Sequence, residues 1–158
     1  MTEFEFDCAV EDVFELLTDP DFIVERSLAL GDLESRCKVK RRGEVTVLVS
    51  DRKVRRDIPA FLARIFDPVQ SIQVTDTWRP NDDDSGWLCI QEVDIKGQPV
   101  SVSAEIELFA TDAGCCYQVE PSATARVPLI GGRIEKFSVS QALDGYRADM
   151  DYLARALK

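Results

Sequence analysis

The feature that most constrains this chain is its closing stretch: Val-Pro-Leu-Ile-Gly-Gly at 127–132, then an unbroken helical pattern that runs almost to Lys158. Val139, Leu143, Tyr146, Met150, Leu153 and Leu157 recur at spacings of three and four, and Ile134 and Phe137 extend the apolar strip toward the helix start. The opposite side carries Glu135, Lys136, Asp144, Arg147, Asp151 and Arg155. A hinge signal followed by one long amphipathic helix, placed after a run of strands, is what a sheet needs if a helix is to lie across its concave face. Gly145 stands inside this helix at a cost of about 1 kcal/mol relative to Ala. A close approach, a slight bend and a tolerated imperfection all account for it at this level.

The strands upstream are read from period-two alternation. Phe4 and Phe6 alternate with Glu3, Glu5 and Asp7 in the first. The period then changes: Val10, Val13, Phe14 and Leu17 predict a short helix that Thr18-Asp19-Pro20 ends, and a second short helix runs from Asp21 to about Leu30 and is ended by Gly31. Six further strands follow, at about 32–41, 44–54, 70–79, 86–95, 99–110 and 114–125, with turn residues such as Arg42-Gly43 and Lys96-Gly97-Gln98 between them. Seven strands joined mostly by short loops predict an antiparallel meander. The rhythm breaks once, at 58–67, where Ile58-Pro59 opens an expected helix through Phe61, Leu62, Ile65 and Phe66.

Alternation also assigns faces. Val45, Val47 and Val49 are expected on the concave side, with Ile72, Val74, Asp76 and Trp78, with Val102, Ala104, Ile106 and Leu108, and with Tyr117 and Val119. The strand at 86–95 is ambiguous, since Trp87, Cys89, Val93 and Ile95 oppose Leu88 and Ile90. Asp51 falls on the same phase as the three valines, and it raises the same question as Asp76: a carboxylate facing inward, or one reaching solvent or a neighbouring arginine such as Arg79.

Composition narrows the function classes. The 158 residues match one ordinary domain, expected to span 1–158. Twenty-nine acidic against nineteen basic residues give a net charge of -10, which disfavours nucleic acid and anionic membrane surfaces as partners. Lys38, Lys40, Arg41 and Arg42 form a local basic run beside Gly43, where a solvated turn is expected. Cys8, Cys37, Cys89, Cys115 and Cys116 show no Cys-x-x-Cys spacing, and the chain has no His, so neither a zinc site nor a disulfide framework is expected. No secretory signal and no run of 18 apolar residues is evident, so reduced thiols, a cytoplasmic setting and no stable membrane insertion are expected.

The order strand, two helices, six strands and long terminal helix resembles the START-like superfamily, the helix-grip fold of the birch-pollen allergen, polyketide cyclases and steroidogenic lipid-transfer domains. The resemblance covers nearly the whole chain. It is carried by Phe4-Glu5-Phe6-Asp7 with the following helix Val10 to Leu17 and its Thr18-Asp19-Pro20 stop, by Ile58-Pro59-Ala60-Phe61, and by Val127 to Glu135 through Pro128, Gly131 and Gly132. The last two segments are similar to an uncharacterised bacterial branch of that superfamily. The resemblance implies an α+β helix-grip fold with a curved seven-stranded antiparallel sheet, and a cavity between the sheet's concave face and the terminal helix. A filled core without any ligand is the plainer outcome.

The expected cavity wall comprises Asp76, Trp78, Val102, Ile106 and Tyr117 from the sheet, Phe61 from the insert, and Phe137, Tyr146 and Met150 from the terminal helix. The expected function is binding or transport of a hydrophobic small molecule of lipid, sterol or polyketide type, with no cofactor, no metal and no assigned catalytic residue. Two alternatives stand beside it. One is an enzyme of cyclase or dehydratase type, using Asp76 with Tyr117 or Tyr146 for proton transfer. The other is an interaction module, including a homodimer, built on the apolar insert, which serves either as a lid on the cavity or as plain edge packing. Gly131-Gly132 at a helix start admits an anion, but the glycines chiefly let the chain turn from sheet to helix.

Overall fold

The computed structural model describes residues 1–158. β1 (Thr2–Phe6) is followed by α1 (Val10–Leu17) and α2 (Pro20–Ala29), then by the meander β2 (Glu34–Arg42), β3 (Val45–Arg55), β4 (Val69–Pro80), β5 (Gly86–Ile95), β6 (Val100–Thr111) and β7 (Gly114–Ala125), and by α3 (Gly131–Ala156). The seven strands form one antiparallel sheet in the order β1-β7-β6-β5-β4-β3-β2. This is an α+β fold. β1 and β2 are neighbours in sequence yet occupy opposite edges, so α1 and α2 have to cross the sheet from one edge to the other. They pack against β6 and β7 at one end and β2 at the other, filling one half of the concave side.

Local chemistry places the breaks. Asp19 caps α2 by accepting the N–H of Asp21 at 3.0 Å, and Pro20 occupies the first helical position, where no N–H is needed. Gly43 turns β2 into β3 with φ +61°. Gly114 is required by proximity: a Cβ there would overlap the carbonyl oxygen of Phe6, so β1 pairs with β7 only past a bare backbone.

Three expectations change. β3 has the opposite phase from the one its valines suggest: Leu48 is 1% exposed and Val45 36%. The inward residues are Thr46, Leu48, Ser50, Arg52 and Val54, while Val45, Val47, Val49 and Asp51 face outward. Both phases of Val-Thr-Val-Leu-Val-Ser-Asp-Arg-Lys-Val carry apolar groups, so alternation alone does not choose. Pairing with β4 does, because Leu48, Ser50 and Arg52 stand opposite Asp76, Val74 and Ile72. On β5 the same logic settles the ambiguity: Cys89 is buried opposite Trp78, and Ile90 is exposed.

The insert is the second change. Only Ala60–Leu62 forms a 3-10 turn, followed by one α-type hydrogen bond from Phe66 N–H to Leu62 O at 2.9 Å. Pro59 and Pro68 bound the segment, and Pro68 disfavours helical geometry at Asp67 before it. The third lies in α3, whose buried line runs through Ile134, Ser138, Tyr146, Met150 and Leu153, leaving Val139 and Leu143 half-buried at its margin. Lys38, Lys40, Arg41 and Arg42 are exposed on β2, where charge protects an open sheet edge from pairing with another chain.

Candidate functional site

The buried apolar side chains form three clusters instead of one continuous core. The largest gathers α1, α2 and the β1, β7 and β6 side of the sheet, with Phe6, Val13, Leu108, Tyr117 and Leu153 among its members. A second joins Leu62, Phe66, Val100, Val102 and Ile134, and a third joins Val54, Ile72 and Val74. Between them lies a cavity of about 180 Å³. At about 30 Å³ per water, that is room for roughly six waters or one small organic molecule.

α3 explains the gap residue by residue. Its inward line is apolar at both ends, with Ile134 in the second cluster and Tyr146, Met150 and Leu153 in the first. Where it spans the cavity it presents Ser138, Gln141, Ala142 and Gly145. These side chains are too short or too polar to fill the space. Gly145 is the sharpest case, since a Cβ built there would meet no atom within 4 Å. Its missing side chain faces the cavity, so a close contact with the sheet is not the reason for it.

Opposite α3, Ile72, Val74, Val93, Ile95 and Val102 make an apolar floor, and Ile58 and Phe66 of the insert close one end. Phe66 also meets Phe137 of α3, ring centroids 6.3 Å apart. The insert is therefore packed as an end wall. Leu62 and Phe66 are buried within it, whereas Phe61 is 41% exposed, its ring covered by the Arg133 guanidinium at 3.9 Å.

Of the nine wall residues expected from the sequence, Asp76, Val102, Phe137 and Tyr146 line the cavity. Trp78, Ile106, Tyr117 and Met150 lie outside it, in the first cluster, because α1 and α2 already occupy that half of the concave face. Trp78 meets Phe14 edge-on at 5.6 Å and Tyr117 meets Phe4 at 6.2 Å. Phe61 also lies outside the cavity.

The polar side of the cavity is more elaborate than alternation suggests. Asp76 and Gln91 stand directly opposite on β4 and β5, and Gln91 Nε2 donates to Asp76 Oδ1 at 2.8 Å. The Tyr146 hydroxyl donates to Gln91 Oε1, so a side-chain relay ties α3 to the sheet. Burial pushes the Asp76 carboxyl up to about 6, against the opposing effects of the Gln91 hydrogen bond and of Arg26. Arg79 is exposed and does not partner Asp76. Burial, and then the nearby Asp76 charge, raise the Tyr146 phenol, which holds it in the donating form.

Arg26, Arg52 and Arg56 also line the cavity, and none of them was legible as a wall residue. Arg52 grips Asp32 with two hydrogen bonds, Nε to Oδ2 at 2.6 Å and Nη2 to Oδ1 at 3.0 Å. Burial opposes the Arg52 charge, but Asp32 outweighs it and the guanidinium is held above its ordinary value. Arg26 lies 3.6 Å from Asp149 of α3. Arg56 has no ion-pair partner, and burial together with the neighbouring Arg52 lowers its affinity for a proton. The signal that could have found Arg52 and Arg56 is the second phase of β3, which runs Leu48, Ser50, Arg52, Val54 and on to Arg56; Arg26, on α2, carries no such signal.

No group of His, Cys, Asp and Glu side chains has the arrangement of a metal site. All five cysteines are free thiols, and Cys115 and Cys116, adjacent on β7, are both buried.

Residues 1–157 match the protein family described as Protein of unknown function (DUF2505). The chain belongs to that family. Among curated proteins none matches this DUF2505 chain. Solved structures share its fold. Protein CV1439 from Chromobacterium violaceum aligns with 98% of this chain and 93% of its own, at 12% identity and a TM-score of 0.53. An uncharacterised protein from Rhizobium leguminosarum aligns with 97% and 89%, at 10% identity and a TM-score of 0.57. A conserved protein from Geobacillus kaustophilus aligns with 98% and 93%, at 15% identity and a TM-score of 0.51. At these identities the likeness speaks for the fold alone. No helix of this DUF2505 member is long and apolar enough to cross a membrane.

Proposed function

We propose that this chain is a START-like, helix-grip binding protein that holds or carries a small, largely apolar molecule between the sheet and α3. One observation carries the reading: between Phe137 and Tyr146, which border the cavity, α3 faces it with only the small or polar side chains of Ser138, Gln141, Ala142 and Gly145. Space left beside a core forgoes packing contacts, and a helix selected only for packing would fill these positions with Leu or Met. The apolar floor of Ile72, Val74, Val93 and Val102 suits a hydrocarbon body, and the few polar groups around it suit orientation of that body.

The test uses Nile red, a neutral apolar fluorophore, with native mass spectrometry of the purified protein. Wild type is expected to take up the dye or to carry a copurified small molecule. Gly145→Leu, whose side chain enters open space, is expected to fold and to lose either occupant. Absence of any dye uptake or bound mass in wild type, or dye uptake by Gly145→Leu equal to wild type, removes the reading.

A second reading, an acid-base enzyme acting on the bound molecule, is favoured by Asp76. A cavity carboxyl that changes protonation near pH 6, tied through Gln91 to a tyrosine, has the properties of a proton-transfer group. Mass spectrometry of the small molecule recovered from wild type and from Asp76→Asn decides it. A compound found only in the variant, as unconverted substrate, supports catalysis; the same compound in the same amount from both dismisses it.

A further inference from the structure

The polar wall of the cavity has an unbalanced feature that binding of a purely apolar molecule leaves unexplained. Of the nineteen basic residues only Arg26, Arg52, Lys53 and Arg56 are partly buried and not exposed, and the three arginines all line the cavity. Ion pairs with Asp32 and Asp149 give Arg52 and Arg26 a structural role, but no such pair accounts for Arg56.

Their partners do not match them. Asp32 is consumed by the two-pronged contact with Arg52. Asp149 faces Arg26 at 3.6 Å, and Arg26 Nη1 is buried without a hydrogen-bond acceptor. Arg56 has neither a hydrogen-bonded nor an ion-paired carboxylate, and Asp76 is engaged by Gln91. Buried guanidinium donors without acceptors are costly, and the acceptor that suits them is a planar or tetrahedral oxyanion.

We propose that the molecule held in the cavity is an amphiphile with an anionic oxygen head, a carboxylate or phosphate, docked on Arg56 and the unpaired Nη1 of Arg26, its apolar body lying along Ile72, Val74 and Val102. The assignment rests on the binding reading above and adds the chemistry of the head. An oxyanion there supplies what each group lacks: an acceptor for Arg26 Nη1 and a directly contacting counter-charge for Arg56, whose charged form burial and Arg52 disfavour by more than Asp32 and Asp149 favour it. The carboxyl groups of Asp149 and Asp32 keep their partners.

The test is a series with one tail and different heads, decanoate, decyl phosphate, 1-decanol and decyltrimethylammonium, with inorganic phosphate as the tail-free control, titrated calorimetrically into wild type and Arg56→Met. Arg56→Met removes a charge without orphaning an acid, and Arg56→Gln serves as a second variant; thermal unfolding verifies that each is folded. Wild type is expected to bind decanoate or decyl phosphate at least about ten-fold more tightly than 1-decanol, with the ammonium weakest, as charge-assisted hydrogen bonds of this kind imply. Arg56→Met is expected to lose about ten-fold for the anionic heads and less than about two-fold for 1-decanol. Whichever anionic head binds more tightly identifies the head as carboxylate or phosphate.

Equal binding of decanoate, decyl phosphate and 1-decanol by wild type, or an equal loss for all three in Arg56→Met and Arg56→Gln, overturns the headgroup and leaves the apolar cavity standing. Inorganic phosphate binding as tightly as decyl phosphate overturns the amphiphile. Failure of every tailed probe to bind removes the cavity reading itself.

Discussion

Replacing Asp76 by Asn is expected to make the protein more stable at neutral pH, and by an amount that depends on pH in one direction only. Asn keeps the shape of the side chain and an oxygen for the Gln91 donor, but it carries no charge. In the folded protein burial holds the carboxyl near 6, against an ordinary value of 3.8. Below the lower value the group is neutral whether the chain is folded or not, and wild type and variant differ only by their packing. As pH rises from there, the unfolded chain releases this proton more readily than the folded one, so wild type loses stability. Above the folded value the loss is complete. From 3.8 to about 6, at about 1.4 kcal/mol per pH unit, the loss amounts to roughly 3 kcal/mol. Urea unfolding of both proteins at a series of pH values between about 3.5 and 8 measures it, because the other carboxylates are common to both and cancel in the difference. The curve of variant minus wild type should climb through the window from about 4 to 6 and then flatten. A difference independent of pH, or one that grows toward acid, refutes the argument and returns Asp76 to the ordinary, solvated range.

Gly145→Ala should raise stability by up to about 1 kcal/mol, since the methyl group meets no neighbour and the helix gains the propensity difference; denaturant midpoints check this, and a destabilised variant would mean that α3 lies closer to the floor than the cavity allows. Asp32→Ala should cost about 3 kcal/mol, because it leaves Arg52 inside the protein without its two acceptors. Arg52→Met in the Asp32→Ala background should recover part of that loss, and a double variant no more stable than the single one would show that the pair is not the source of the cost.

The fold was largely legible because its punctuation is chemical. Asp19-Pro20, Gly43, Gly97 and Pro128-Gly131-Gly132 stop one period and start another, and the terminal helix declares itself through Ile134, Tyr146, Met150 and Leu153. β3 was not legible in phase, since valines on one side and Leu48 with Val54 on the other give two acceptable faces, and the register with β4 chooses between them. The cavity wall was legible in part for the same reason. Asp76 and Val102 lie on strands with a single apolar phase, whereas an arginine alternating with serine and leucine, as Arg52 does, reads as a solvated side chain until Ile72 is placed opposite it. Trp78, Ile106, Tyr117 and Met150 have the right phase but the wrong end of the sheet. Periodicity reports which face a residue occupies, and only the crossing of α1 and α2 decides which half of that face remains open.

That crossing also sets an order of events in time. β1 pairs with β7, so Thr2 waits for Val119 and Phe4 for Tyr117, more than a hundred positions away. At ordinary rates of synthesis the two strands leave the ribosome on the order of ten seconds apart. Throughout that interval Phe4 and Phe6 lack the neighbours that later bury them, on a strand with both edges unpaired. The alternating Glu3, Glu5 and Asp7 place like charges on every second position of that strand, which opposes its pairing with a second copy of itself. The N-terminal strand is thus the last to be zipped into the sheet, and its carboxylates serve the nascent chain before they serve the finished one.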